Sequence, residues 1–235
     1  MAGHNIQILS TRPVSAALVK KAARKNMGID VLSFIETNAI QNIEIQQEIE
    51  WASTENAVVV FTSMNAVVAV TEMLDGFVPE WRIYCMGHTT LQLISSYFGE
   101  HTIAGTADNA AELAEEIISN EEPDEVIFFC GNKRREELPG KLRTQNIDVT
   151  EITVYETTLI HHTVEKNYDG ILFFSPSAVE SFFTTNKLPV NTTLFAIGDT
   201  TAKAIRKYCS NKIVTALQPG KDALLEQAVD YFEVV

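Results

Sequence analysis

Small hydroxyl and amide residues follow short apolar segments at six places in this chain. They are Thr11, which precedes Arg12; Thr62, Ser63 and Asn65; Thr89 and Thr90; Asn132, which follows Gly131; Ser175 and Ser177, on either side of Pro176; and Thr200 and Thr201. The side-chain oxygens of such residues cap helices, and the free N–H groups of a helix N-terminus bind anions. Each junction therefore predicts either an ordinary helix cap or a contact to an anionic or polar ligand.

The motifs of several enzyme classes are absent from the sequence. It contains no GxGxxG, GxxxxGK[ST], HExxH or GxSxG, which counts against dinucleotide, P-loop, zincin and hydrolase chemistry. The pair His161–His162 is a weak signal for a metal site, and a solvent-exposed loop is the simpler explanation. The eight carboxylates between Asp108 and Glu125 are typical of a solvated helix face and turn.

Composition narrows the class of protein and its compartment. The 235 residues include 18 Lys+Arg and 31 Asp+Glu, a formal net charge of −13, and 46% are hydrophobic. So acidic a chain lacks the clustered basic face of a nucleic-acid-binding protein. No signal sequence or 18-residue apolar run indicates export or membrane insertion. Three cysteines without CxxC spacing fit a reduced cytoplasmic location. We therefore expect a globular cytoplasmic protein that binds neither nucleic acid nor a membrane.

β-Branched and aromatic segments alternate with stretches of helical periodicity. Strands are predicted at Ile6–Ser10, Ala57–Thr62, Arg82–Met86, Glu125–Cys130, Gly170–Phe174 and Leu194–Ile197. Helices are predicted at Val14–Lys25, Asn65–Leu74, Thr90–Tyr97, Ala110–Ser119, Glu136–Thr144, Ser177–Thr184, Ala202–Tyr208 and Ala223–Phe232. This alternation is typical of an α/β fold with a parallel sheet between layers of helices. The polar junctions then lie at the carboxyl ends of the strands, where such sheets bind ligands.

An internal repeat indicates two domains. FTSMNAV (61–67) matches FFSPSAV (173–179), and YCMGHTTLQLI (84–94) matches FAIGDTTAKAI (195–205) at nearly the same offset. The second half ends before a final strand–helix unit, and the N-terminal IQILSTRP supplies the equivalent of EVIFFCGN. One domain, residues 38–153, is therefore predicted to be inserted in the other, residues 1–34 and 158–235. The β-rich segments 35–37 and 154–157 are the predicted connector strands.

Six motifs carry a resemblance to a known family. FTSMNAV, MGHTT, FFCGNKRREELP, ITVYETT, FFSPSAV and IGDTT, in this order and spacing, resemble the uroporphyrinogen-III synthase family over essentially the whole chain. The resemblance implies two flavodoxin-like parallel-sheet domains joined by a two-stranded β connector. It further implies a lyase without a cofactor that closes hydroxymethylbilane, a linear tetrapyrrole, to uroporphyrinogen III in haem biosynthesis. Ring D is inverted through a spiro intermediate as the macrocycle closes.

The resemblance also implies roles for individual residues. Tyr155 of ITVYETT is the catalytic candidate, since a neutral phenol can donate a hydrogen bond to the departing hydroxyl group. A connector tyrosine that only packs is the alternative. The implied substrate contacts, with Thr90 and Thr201 foremost among the threonines, are Arg12, Thr62, Ser63, Asn65, Thr89, Thr90, Gly131, Asn132, Lys133, Arg135, Ser175, Pro176, Ser177, Thr200 and Thr201. Asp199 stands where the family often has proline, and we expect it to cap its own helix.

Other functions stay open at this point. A non-catalytic two-domain protein that binds a tetrapyrrole or another polyanion is the alternative, favoured by the absence of an acid–base pair. A pair of receiver domains would need clustered acidic residues at a strand end with a lysine, and the sequence has no such set. A cleft between two domains needs no second subunit, so we expect a monomer. Because the net negative charge repels a polyanionic ligand, we expect the carboxylates of Asp108–Glu125 to lie outside the cleft that binds this ligand.

Overall fold

The structure is a computed structural model that describes residues 5–120, 123–218 and 220–234. Its strands are β1 (Ile6–Ser10), β2 (Met27–Val31), β3 (Ile35–Ala39), β4 (Val58–Phe61), β5 (Arg82–Met86), β6 (Ile103–Ala107), β7 (Glu125–Gly131), β8 (Asp148–Leu159), β9 (Gly170–Phe173), β10 (Thr193–Ala196) and β11 (Ile213–Thr215). Its helices are α1 (Ala16–Arg24), α2 (Ile43–Thr54), α3 (Met64–Leu74), α4 (His88–Phe98), α5 (Ala110–Asn120), α6 (Glu137–Arg143), α7 (Pro176–Thr185), α8 (Asp199–Ile205) and α9 (Lys221–Val234). A short 3-10 helix covers Glu100–Thr102.

The contacts between residues divide the chain into two compact units. Unit 1 comprises residues 1–36 and 158–235, and unit 2 comprises Thr37–Thr157. Unit 1 holds a five-stranded sheet in the order β11-β10-β9-β1-β2, with every pair parallel. When the five strands are renumbered 1 to 5 along unit 1 and the sheet is read from the β2 edge, the order is 2-1-3-4-5, which is the flavodoxin arrangement.

Unit 2 repeats the same arrangement with a different starting point in the chain. Its sheet runs β3-β8-β7-β4-β5-β6, so β8-β7-β4-β5-β6 corresponds to β2-β1-β9-β10-β11 of unit 1. The β7 strand takes the place in unit 2 that the N-terminal β1 strand takes in unit 1. The predicted fold class is therefore confirmed, as two parallel α/β sheets in which one unit interrupts the other.

Each sheet buries both faces because its central strands are apolar at consecutive positions. In β4, Val59 and Phe61 face one core together with Trp81, whereas Val58 and Val60 face the opposite core with Tyr84. The sheet of unit 1 divides its residues in the same way between two cores. Alternation of side chains across a strand requires this pattern when helices cover both faces.

Two antiparallel strand segments join the units. The N–H of Ile40 donates to the carbonyl of Val154 at 2.9 Å, and the N–H of Ile160 donates to the carbonyl of Phe34 at 2.9 Å. The returning segment is not a separate strand: β8 pairs with β7 along its first part and continues unbroken to Leu159. A single long strand thus belongs both to the sheet of unit 2 and to the connector.

The sequence analysis did not predict three strands and one helix, for two different physical reasons. The strands β2, β6 and β11 all lie at sheet edges and are only half-buried, so they lack the apolar runs of central strands. The helix α2 begins with IEI, which alternates as a strand does, and only Ile49 and Ala52 on it are buried.

None of the helices in the described ranges is long and apolar enough to cross a membrane.

Candidate functional site

The predicted junctions converge at one sheet edge within each unit. In unit 2, Phe61 at the end of β4 pairs with Cys85 of β5 and with Phe129 of β7, so the three strands end at similar heights. In unit 1 the same holds for β9, β10 and β1, where Phe173 pairs with Ala196. Every polar junction that the sequence analysis singled out therefore lies at the carboxyl edge of its sheet.

Tyr155 lies against a glycine at the carboxyl end of β7. It pairs across the strands with Gly131, at a point where the ladder shifts register after Cys130. A Cβ atom on Gly131 would lie 2.4 Å from the ring atoms Cε2 and Cζ of Tyr155. The phenol ring therefore rests directly on the bare Cα of the glycine.

The surroundings of Tyr155 keep its hydroxyl group protonated at neutral pH. Burial raises the pKa of Tyr155, and a side-chain hydrogen bond with Ser63 acts against this rise without cancelling it. Desolvation has this direction because it disfavours the phenolate. Ser63 itself caps α3, its oxygen accepting from the N–H of Asn65 at 3.2 Å. The site can thus donate a hydrogen bond, and it is not equipped to hold a phenolate nucleophile.

A polar pocket opens beside the Tyr155 ring. Its volume is about 420 Å³, and its lining residues all belong to unit 2: Thr37, Asn38, Ala39, Gln41, Asn65, Val68, Ala69, Glu72 and Tyr155. Tyr155 and Asn65 were predicted site residues, and the structure brings them together here. The sequence analysis missed Thr37, Asn38, Gln41 and Glu72. Helical spacing offered one signal, since Glu72 follows Asn65 by two turns on the same face of α3.

Asn132 fastens the end of β8 to β7. Its backbone N–H donates to the carbonyl of Tyr155 at 3.2 Å, and its side-chain oxygen accepts from the N–H of Thr157 at 2.8 Å. The asparagine therefore holds the strand that carries Tyr155, and its amide oxygen already has a partner in the protein.

The basic segment after β7 divides into two roles. Arg134 and Arg143 both bind Glu151: Nη2 of Arg134 lies 2.9 Å and Nη2 of Arg143 lies 2.6 Å from Oε1 of that carboxylate. Lys133 and Arg135, the predicted substrate contacts, are instead exposed on either side of Arg134. Arg134 thus forms an ion pair with a carboxylate of β8, whereas the side chains of Lys133 and Arg135 lie at the surface.

The two GxTT segments behave alike. In each, the first threonine is exposed, as Thr89 and Thr200 are, whereas Thr90 and Thr201 are only 6% and 2% exposed. The sequence analysis predicted the second threonines, Thr90 and Thr201, as the foremost ligand contacts. In the structure the first threonine of each pair is the more exposed one. Asp199 lies in the first turn of α8, whose N-cap is Gly198, so Asp199 does not cap this helix as expected.

The remaining predicted residues of unit 1 are placed mainly by capping and packing. The Ser175 oxygen caps α7 by accepting from the N–H of Ala178 at 3.1 Å, and Pro176 opens the helix, with Ser177 following it. The guanidinium of Arg12 lies 6.0 Å from the ring centre of Phe174. In unit 2, Thr62 is half-buried between β4 and the cap of α3.

Part of the acidic segment lies closer to the junctions than expected. Asp108, Glu112 and Glu116 line a pocket of about 380 Å³ together with Gly87, the N-cap of α4. Glu115 instead pairs with Lys141, and Glu121 and Glu122 lie outside the described residues. These three carboxylates thus gather beyond β5 and β6, whereas the lining of the Tyr155 pocket includes one carboxylate, that of Glu72.

The histidine pair is held by the protein around it. Nε2 of His162 lies 3.0 Å from the carbonyl oxygen of Ser33, and its ring packs edge-on against Phe34. His161 is exposed. Within the residues that the structure describes, no group of three or more His, Cys, Asp or Glu side chains could hold a metal ion.

Comparison with known proteins points in one direction. The model of a family described as uroporphyrinogen-III synthase HemD matches residues 16–226. A solved uroporphyrinogen III synthase from Thermus thermophilus is 12% identical, with 97% of this chain and 98% of that chain covered and a TM-score of 0.72. A uroporphyrinogen-III synthetase from Helicobacter pylori is 21% identical, with 96% and 99% covered and a TM-score of 0.65. No curated protein sequence matches significantly. At these identities the solved structures support the fold, and the family model extends over most of the chain.

Proposed function

Because this chain belongs to the uroporphyrinogen-III synthase family, we propose that it converts hydroxymethylbilane to uroporphyrinogen III, inverting ring D as the macrocycle closes. The observation that carries the proposal is the protonated Tyr155 phenol held between Gly131 and Ser63 at the wall of a polar pocket. The activity is that of a lyase, since the reaction expels water from the substrate. It forms part of haem biosynthesis.

In this mechanism Tyr155 assists the departure of the hydroxyl group. Its O–H donates a hydrogen bond to the terminal hydroxyl oxygen as the C–O bond breaks. The hydroxyl group leaves as water and the pyrrole nitrogen of that ring gives up its proton, which leaves an azafulvene at that end of the chain. The substituted carbon of ring D then attacks this carbon to form a spiro intermediate. The bond from that ring D carbon to the methylene bridge of ring C then breaks, and the freed methylene carbon bonds to the unsubstituted α carbon of ring D, which loses its proton, so ring D is inverted as the macrocycle closes. A positioned proton donor with a pKa above neutrality is suited to the first step.

Most of the rate enhancement comes from holding the substrate folded. Spontaneous closure joins the same two ends without inversion, so the protein must favour one near-attack geometry over another. The N-terminus of α3 and the exposed Thr89, together with Lys133 and Arg135, provide donors for substrate carboxylates along the unit 2 edge. The exposed Thr200 and Arg12 provide comparable groups in unit 1.

The proposal is tested by incubating the purified protein with hydroxymethylbilane and resolving the product isomers after oxidation. We expect the type III isomer, with heat-denatured protein as the control that yields only type I. Tight binding with type I product alone would contradict the proposal. That outcome would favour a non-catalytic protein that binds a tetrapyrrole or another polyanion.

Replacing Glu72 with Gln should lower KM for hydroxymethylbilane about two- to fivefold. The Glu72 carboxylate lines the Tyr155 pocket and repels an anionic substrate, and removing one like charge near a surface has an effect of this order. Steady-state kinetics at fixed ionic strength measure the change.

The matched control for this prediction is Glu48→Gln. Glu48 is an exposed carboxylate on α2 and does not line the pocket, so KM should stay unchanged in that variant. An equal fall in both variants would indicate an effect of net charge alone and would remove Glu72 from the site.

A further inference from the structure

Two glycines of the unit 2 sheet face tyrosine rings across neighbouring strands. Gly105 of β6 pairs with Tyr84 of β5, and Gly131 of β7 pairs with Tyr155 of β8. A Cβ on Gly105 would lie 2.6 Å from Cε1 of Tyr84, and one on Gly131 would lie 2.4 Å from two ring atoms of Tyr155. Both pairs lie beside a register shift in the ladder. In both pairs the missing side chain of a glycine leaves room for the tyrosine ring of the neighbouring strand.

The two pairs differ in where the phenol lies. Tyr84 is fully buried, so its pairing with Gly105 fills the core. Tyr155 is half-buried, and its ring forms a wall of the pocket that Asn65 and Glu72 also line. Only the second pair therefore sets the position of a side chain that a ligand can reach.

The contact between the ring and Gly131 does not depend on an unusual backbone. The glycines with positive φ in the described chain are Gly76, Gly87, Gly99 and Gly220, so the conformation at Gly131 is open to alanine. The strand is also fastened just beyond it, through the hydrogen bonds of Asn132 to Tyr155 and Thr157. A methyl group at position 131 must therefore displace the ring of Tyr155, since the backbone on both sides is held.

We propose that Gly131 is a positioning residue: its missing side chain lets the Tyr155 ring lie flat across β7, which places the phenol beside Ser63 and the pocket. The catalytic consequence rests on the proposed function, whereas the packing relation between the two residues does not. A Gly131→Ala variant tilts the ring away from this position and weakens hydrogen bonding to the departing hydroxyl group.

Kinetics test the catalytic part. Gly131→Ala should lower kcat about tenfold with KM changed less than about twofold, because ground-state binding involves many other groups. Adding Tyr155→Phe to Gly131→Ala should lower kcat much less than Tyr155→Phe does in the wild-type protein, since residues that act through one contact are not additive. Fully additive effects would overturn the proposal.

Gly105→Ala is the matched control for general damage to the sheet. It introduces the same methyl group against the buried Tyr84 ring, so it should lower stability without lowering kcat, when assayed well below its melting temperature. A comparable loss of kcat in Gly105→Ala would show that strain anywhere in the sheet suffices, and Gly131 would have no positioning role.

A titration separates this inference from the proposed function. In protein labelled with ¹³C-tyrosine, the Tyr155 resonance is identified by its absence from Tyr155→Phe, and its pKa is followed by NMR. We expect the pKa of Tyr155 to fall toward its ordinary value in Gly131→Ala, because the displaced ring is more exposed. This measurement stands even if the protein proves inactive on hydroxymethylbilane. An unchanged pKa and chemical shift would overturn the positioning role.

A stability cycle covers the case in which Gly131→Ala folds poorly. The double variant Gly131→Ala/Tyr155→Ala has no ring for the methyl group to meet, so it should be no less stable than Tyr155→Ala alone. Equal destabilisation by Gly131→Ala in both backgrounds would show that the glycine serves the strand independently of Tyr155, and the proposal would fail.

Discussion

Replacing Tyr155 with Phe is expected to lower kcat about 10–100-fold with little change in KM. The substitution keeps the ring that packs on Gly131 and removes only the hydroxyl group that the proposed mechanism uses as a proton donor. A positioned general acid contributes about 10²–10⁴-fold, and a donor that only hydrogen-bonds to the departing group is expected at or below the lower end of that range. Steady-state formation of uroporphyrinogen III measures it, and Tyr97→Phe, at an exposed position on α4, is the matched control. Wild-type turnover in Tyr155→Phe would remove Tyr155 from the catalytic role.

The pH dependence of activity in the wild-type protein and in Tyr155→Phe provides a second test of the role of Tyr155. Burial raises the pKa of Tyr155 above its ordinary value of 10.0, so the protonated donor persists through neutral and moderately alkaline pH. Activity that depends on this proton should be retained at neutral pH and lost only as the pH rises through the raised pKa. The Tyr155→Phe variant should lack that alkaline limb. A limb of identical position in both proteins would assign it to another group.

Replacing Trp81 with Ala is expected to lower the free energy of unfolding by about 3–5 kcal/mol, the usual range for a large aromatic side chain in a core. Trp81 is 2% exposed, and its ring centre lies 5.7 Å from that of Phe98 and 5.4 Å from that of Phe129. Its indole N–H also donates to the carbonyl of Ala52 at 2.9 Å, which ties α2 to the core. The substitution therefore removes packing and one of the two hydrogen bonds that the Ala52 carbonyl accepts, the other coming from the N–H of Glu55 at 3.3 Å.

Urea unfolding followed by far-UV circular dichroism measures this loss, since tryptophan fluorescence changes with the substitution itself. The other tryptophan of the chain, Trp51, is 50% exposed, so Trp51→Ala should change stability by only about 0.5 kcal/mol. A similar small loss in both variants would contradict the place of Trp81 at the centre of the unit 2 core.

The central strands and most helices could be predicted from the sequence because their signals are local. VVVF in β4 and GILF in β9 are apolar at every position, as strands buried on both faces must be. The repeat also indicated that the N-terminal strand replaces the last strand of its half, and the sheet orders agree. By contrast, β6 and α2 were missed, because an edge strand of small residues and a helix with two buried positions carry no such local signal.

The candidate site could be predicted only in part. The junction residues and Tyr155 were recognisable from their motifs, and capping explains the side-chain hydrogen bonds of Ser63 and Ser175. Which threonine of each pair is exposed depends on the direction each takes from its helix, so the spacing of Thr89 and Thr90 did not decide it. The pocket residues of β3 come together with Tyr155 only through strand pairing.

The sequence by itself determined the fold class, the two-part organisation, the family resemblance and the net charge of −13. These depend on periodicity, repetition and composition, which are properties of the chain before it folds. Only the tertiary structure decided that Tyr155 rests on Gly131, and that the carboxylates of Asp108, Glu112 and Glu116 gather on another part of the edge. Such relations arise when strands distant in sequence pair in one register, and no local pattern records that register.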